Sequence, residues 1–407
     1  MSRDVLTQRR RGAESGVATY VRLGDVCEQV RGVSYKPTDA SLEPKEGYVP
    51  LLRANNIFEG VINHDDLVFV RQDRILASQY LRQGDVLVCT SSGSVKLVGK
   101  AAQIQANSHE SFGAFCRVLR PNARLSARYF HHYFQSDTYR RTISNKAAGA
   151  NINNIRSEDL DELSIPLPPL AEQRRITAKL DRICDIIAKR KQQLVKLQQL
   201  VKSRFVEMFG DPVSNPKKWN VRRISEFADV RIGPFGSLLH KEDYIQGGHP
   251  LVNPSHMVDG KIVPDNDLTL SDIKYKELVA YQLRLNDVVI ARRGEIGRCA
   301  LVKKEGFFCG TGSMFVRIKK DCRADYLQRV ISYPTFAARL EDAAVGITMK
   351  NINAGMIEDC TIPLPPPALQ REFAAFVAKV DKLAFAVRKS LESAEKLYRQ
   401  QLSEAFA

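Results

Sequence analysis

No run of eighteen apolar residues occurs in this 407-residue chain, so no transmembrane helix is expected. No Cys-x-x-Cys pair occurs among its eight cysteines, Cys27, Cys89, Cys116, Cys184, Cys299, Cys309, Cys322 and Cys360. That absence argues against a zinc site or a disulfide framework and points to buried, reduced thiols in a cytosolic protein. Residues 1–19 carry Arg9-Arg10-Arg11 but no apolar stretch behind them. They are read as a mobile tail and not as a secretory leader.

Catalytic patterns are equally scarce. Cys309-Gly310-Thr311-Gly312-Ser313 is glycine-rich, yet no helix-opening pattern follows it, and a turn is expected. Gly99-Lys100 resembles the end of a phosphate-binding loop, but Ser94 stands where glycine is required and Ala101 where Ser or Thr is. Asp265, Asp272 and Lys274 come nearest to a metal-dependent hydrolytic cluster; the first half of the chain has no counterpart, and a solvated loop is the simpler reading. The seven histidines are scattered apart from His131-His132. Their helical context favours ordinary core or surface roles over metal ligation.

What the chain does have is charge and repetition. Lys and Arg outnumber Asp and Glu by 61 to 46, giving a net charge of +15 and a pI near 9.4. Such a balance suits an anionic partner, nucleic acid first among them. Ile165-Pro166-Leu167-Pro168-Pro169 leads into Glu172-Gln173-Arg174 and then about forty residues without Pro or Gly, until Gly210. Ile176, Leu180, Ile183, Ile187, Leu194, Leu197, Val201 and Met208 recur at steps of three and four, interrupted by Arg190 and Arg204. This spacing predicts a long helix with a near-heptad apolar seam, stopped by Gly210 and Pro212.

The pattern returns 197 positions later as Ile362-Pro363-Leu364-Pro365-Pro366, then Gln370-Arg371. Its seam is read as Phe373, Phe376, Val380, Leu383, Val387, Leu391, Ala394, Leu397 and Leu402. Ala178-Lys179-Leu180-Asp181 matches Ala378-Lys379-Val380-Asp381, which implies a gain of three residues in the second copy. About 38 helical residues span roughly 57 Å.

The regions before each helix also correspond. Val30-Arg31-Gly32 answers Val230-Arg231-Ile232-Gly233, Pro50 onward answers Pro250 onward, and Asp85-Val86-Leu87-Val88 answers Asp287-Val288-Val289-Ile290. Phe115-Cys116-Arg117-Val118-Leu119 reads as a further strand. The chain therefore divides into a tail (1–19), a globular region (20–165), a helix (166–210), a linker (211–217), a second globular region (218–362) and a second helix (363–407). The expected fold class is α+β. Two globules, each followed by a long helix, would be related by pseudo-two-fold symmetry, with the helices pairing as an antiparallel coiled coil.

From about residue 20 onward, the doubled Pro-rich lead-ins, their Gln-Arg pairs and the repeated loop-strand plan make the chain similar to the specificity subunits of type I restriction–modification systems. Leu369 departs from the pattern where the first copy has Glu172. The resemblance implies two target-recognition domains, each reading half of a split site in double-stranded DNA. It implies helices that set the gap between half-sites and dock two methyltransferase subunits, with restriction subunits joining for cleavage. It further implies a non-catalytic chain in the prokaryotic cytoplasm, without cofactors of its own. S-adenosylmethionine, ATP and Mg2+ would belong to the partners, whose complex methylates adenine at N6 and cleaves DNA. Two other readings are a stand-alone nuclease or methyltransferase, which lacks its motifs here, and a coiled-coil scaffold without a DNA role.

Base-reading groups belong on loops that follow strands. In the first half these are Arg53, Asn55 and Asn56; Ser91, Ser92, Ser94 and Lys96; Asn151 and Asn153. In the second they are Asn253, Ser255 and His256; Arg292, Arg293, Glu295 and Arg298; Thr348 and Lys350. Arg31, Lys100, Arg231 and Lys241 are expected on phosphates.

Overall fold

A computed structural model of the protein describes residues 19–94, 97–148, 154–235, 238–344 and 350–407. The chain forms two units, one of residues 1–192 with 388–407, the other of residues 193–387. Among the described residues no helix is long and apolar enough to cross a membrane.

In the first unit, four antiparallel strands lie in the order Cys27–Arg31, Cys116–Pro121, Val86–Cys89, Ala101–Gln103. All four residues of Val86–Cys89 are buried, as a strand covered on both faces requires. A second sheet runs Ser111–Phe112, Tyr48–Leu52, Val68–Arg71, Ala40–Ser41, its first pairing parallel. Tyr20–Arg22 pairs with Ser164–Pro166 and so closes the globule. The second unit repeats this plan. Its main sheet is Ala228–Ile232, Ser313–Ile318, Val288–Ala291, Cys299–Leu301, and its closing pair is Val221–Arg223 with Thr361–Pro363.

The two long helices are Leu170–Phe209 and Pro367–Phe406, each of 40 residues. Their equal lengths and common 197-residue offset correct the expected three-residue gain. An insertion of three residues would turn everything after it by about 60° around the helix and break the seam. The true second seam is Phe373, Val377, Val380, Ala384, Val387, Leu391, Ala394 and Tyr398, in regular steps of four and three. Leu383 and Leu397 are 57% and 46% exposed, whereas Ala384 and Ala394 are buried. The apolar run was right, but two of its leucines, Leu383 and Leu397, lie off the seam. Gly210 stops the first helix with φ +78°, and a Cβ there would meet Pro216 Cγ at 2.7 Å.

Within each unit the helix segments run antiparallel. In the first, Arg190 Nε donates to Ser390 Oγ at 3.2 Å, and in the second Arg204 Nη2 reaches Glu372 at 2.8 Å. The seam arginines are thus satisfied across the pair. The linear division of the chain missed one thing: residues 388–407 belong to the first unit. Leu402 and Phe406 sit in its core, Phe406 against the ring of Tyr129 at 4.9 Å. In the second unit Phe209 takes the same place against Tyr326 at 5.0 Å.

The Pro-rich lead-ins are locked identically. Gln173 is fully buried; its amide donates to the Arg124 and Pro168 carbonyls, and its oxygen accepts from the Ser126 N–H. Gln370 does the same with Asp321, Pro365 and the Arg323 N–H. Tyr129 and Tyr326 donate to the Pro166 and Pro363 carbonyls at 2.9 and 2.7 Å. These bonds orient each helix on the globule before it.

Candidate nucleic-acid interface

In the first unit the loops after Cys27–Arg31, Tyr48–Leu52 and Val86–Cys89 converge on the turn before Cys116. Gly32 permits this: a Cβ there would meet the Gly113 carbonyl at 2.1 Å. Together the loops line a cleft of about 810 Å3 that includes Tyr35, Arg53, Asn55, Ser91, Ser92 and Phe115. A second cleft of about 470 Å3 shares Ser91 and Phe115 and adds Arg31, Arg117 and Arg156.

The polar groups are held in place. Arg53 Nη2 donates to the Asp66 carbonyl at 2.7 Å and its carboxylate at 3.0 Å, and Asn55 donates to the same carboxylate at 3.0 Å. Arg31 and Arg117 are direct cross-strand partners. Burial and the Arg31 charge pull the Arg117 guanidinium below its usual range. Like charges set opposite each other cost stability, and a phosphate between them would relieve it.

In the second unit the loop after Val288–Ala291 lies at the corresponding place. Arg292 N–H donates to the Gly312 carbonyl, and Arg293 bridges to Asn351 as Ser91 bridges to Asn154. Arg298 reaches the Pro254 carbonyl at 3.3 Å and pairs with Glu295. It thereby ties this loop to the one bearing Asn253 and Ser255. Burial and the neighbouring Arg293 lower the Arg292 pKa.

The description "Type I restriction modification DNA specificity domain" fits residues 17–199 and, a second time, residues 216–394. The chain belongs to the type I restriction–modification specificity family. It is 30% identical to the EcoKI specificity subunit of Escherichia coli over 389 residues, covering 91% of this chain and 84% of that one. It is 29% identical to the StySPI specificity subunit of Salmonella potsdam at the same coverage of 91% and 84%. Two solved structures share its fold. A chain from a study of complex assembly and conformational transition in the type I R-M system has TM-score 0.58 at 21% identity, covering 95% of this chain and 97% of that one. The S subunit from M. genitalium has TM-score 0.54 at 15% identity, covering 97% and 98%.

Measured against this specificity-subunit frame, the sequence expectations divide. Arg53, Asn55, Ser91 and Ser92 share one cleft, and Arg31 lies in the adjoining one. Ser94, Ser255, Arg293, Glu295 and Lys350 are exposed, Lys350 beside Glu341 at 3.5 Å. Arg231 is exposed on the strand answering that of Arg31, and Lys100 lies in a turn that lines neither cleft.

Two expectations are corrected. Asn56 is fully buried; its oxygen accepts the Arg53 N–H and its amide donates to the Asp65 carbonyl. His256 is buried too, with Nδ1 2.8 Å from the Leu251 carbonyl oxygen. Both shape the loop from inside, where their side chains are out of reach of a ligand at the surface. Lys96, Asn151, Asn153 and Thr348 lie outside the described residues, as does the side chain of Lys241.

Sequence reading missed Tyr35, Arg117, Arg156 and Phe115. Phe115 had been placed inside a strand that in fact begins at Cys116. The only available clue was the glycine at 113 just before it, which signals a turn. The Arg31–Arg117 pairing depends on register, which no local pattern reveals.

Proposed function

We propose that this chain is the DNA-reading subunit of a type I restriction–modification complex, with each unit recognising one half of a split duplex site. One observation carries this reading. The same loops of a repeated scaffold present different polar sets, Arg53, Asn55, Ser91 and Ser92 in one unit and Asn253, Arg292, Arg293 and Arg298 in the other. A shared frame with divergent loops is what two unlike half-sites require.

The long helices set the gap between the half-sites. Their off-seam apolar residues, Leu383 and Leu397 among them, support docking of partner helices. In this reading the chain supplies recognition and assembly but no catalytic group. Two methyltransferase subunits hold S-adenosylmethionine, and restriction subunits hold ATP and Mg2+. The complex acts on DNA in the cytoplasm as an N6-adenine methyltransferase and endonuclease.

The test is a long-read methylome of a strain carrying the partner subunits, with and without this gene. Loss of one bipartite N6-methyladenine motif is the expected result. A methylome that does not change while the methyltransferase is demonstrably expressed would overturn the proposal.

A further inference from the structure

The two units differ at one structurally equivalent slot. Cys116 pairs with Cys89 in the first main sheet, and Ser313 pairs with Ala291 in the second. The residues just before them, Phe115 and Gly312, therefore occupy the same position. Their carbonyls confirm it: Phe115 O accepts the Thr90 N–H, and Gly312 O accepts the Arg292 N–H. The second unit presents bare backbone beside Pro254 and Asn253, where a Cβ would meet Pro254 Cδ at 3.1 Å. The first presents a phenyl ring that is 70% exposed.

The backbone that carries that ring is fixed from below. The Phe115 carbonyl accepts three hydrogen bonds, from the N–H groups of Thr90 at 2.9 Å and Ser91 at 3.1 Å and from Thr90 Oγ1 at 3.1 Å. It lines both clefts, with Arg53, Asn55 and Ser92 on one side and Arg31, Arg117 and Arg156 on the other. A phenyl ring left in water forgoes the burial it would gain in a core. Between hydrogen-bonding side chains and phosphate-binding ones it stands where base edges would lie, yet it has no donor or acceptor to offer them. The apolar group on a major-groove base edge is the C5-methyl of thymine.

We propose that Phe115 reads the C5-methyl group of a thymine in the half-site bound by the first unit, and that the bare Gly312 slot leaves the second half-site without such a contact. This rests on the DNA-reading role above. An aromatic wedge between base pairs would bind without regard to the methyl group.

The experiment uses the full chain assembled with its methyltransferase subunits and duplexes carrying the motif from the methylome. Each thymine is replaced in turn by uracil, which removes only the methyl. One substitution should weaken binding about fourfold, the worth of one buried methyl group. Phe115→Ala should bind thymine and uracil duplexes alike, and Phe115→Leu should keep part of the difference. Because the ring is exposed, both variants are expected to fold, and unchanged thermal unfolding would verify this. The proposal falls if no thymine is uracil-sensitive, or if Phe115→Ala keeps the full sensitivity. No preference for the motif over scrambled duplex would instead sink the DNA-reading role itself, and this proposal with it.

Discussion

His132 shows how much one side chain carries in this fold. Its ring is fully buried, with Nδ1 2.9 Å from the Tyr398 hydroxyl and Nε2 2.9 Å from the Asp181 carboxylate. Burial pushes its pKa down, against the pull of Asp181. For Asp181 burial alone would raise the pKa, but hydrogen bonds from Arg128 and His132 outweigh it and hold the carboxyl low. His131 beside it is driven by burial, and by the His132 charge, from an ordinary 6.5 to about 3. Both histidines are neutral in the folded state at neutral pH. Below about pH 6.5 the unfolded chain takes up protons that the folded chain refuses, so stability must fall on acidification. The first unit should therefore lose stability steadily from pH 6.5 toward pH 4 in urea unfolding, and His131→Gln should flatten that slope. Parallel slopes for the two proteins would refute the assignment. From sequence, His131-His132 read as ordinary helix residues, a reading blind to the ion cluster. The partners Asp181 and Tyr398 lie 49 and 266 residues away from His132.

At the scale of elements, the helices were the most legible part of the chain. Their start at the Pro-rich lead-ins, their stop at Gly210 and the first seam all follow from local spacing. The second seam was misread at Leu383 and Leu397 because a search for periodicity favours large apolar side chains, whereas a close helix pair accepts alanine where backbones approach. Ala394 is buried and Leu397 is exposed. Ala394→Asp should destabilise the protein by on the order of 3 kcal/mol, the cost of an uncompensated buried charge. Leu397→Asp should change it by about 0.5 kcal/mol or less, as surface substitutions do. Chemical denaturation of the two variants checks this, and equal losses would restore Leu397 to the seam. The strands were legible as apolar runs, but their order in the sheets was not. Tyr48–Leu52 pairs in parallel with Ser111–Phe112, some sixty residues away, and nothing local specifies that choice.

For the whole molecule, duplication was plain in the sequence, and the repeated sheet order bears it out. The far ends of the helices were not legible. A heptad pattern announces a buried face without saying what buries it, and so Phe406 gave no hint that it would lie on Tyr129. Removing residues 388–407 should strip protection in hydrogen exchange from Ala127–Gln135 and its neighbours while residues 193–387 keep theirs. Undiminished protection in the first unit would mean that Leu402 and Phe406 contribute little to its core.

This arrangement also bears on how the protein is made. Residues 193–387 are continuous in the chain, so the second unit can complete itself as soon as they leave the ribosome. The first unit, though translated earlier, must wait for Leu402 and Phe406. The core of the first unit is thus completed by the last residues to be synthesised. A product of premature termination would carry its first cleft on an unfinished core, open to proteolysis.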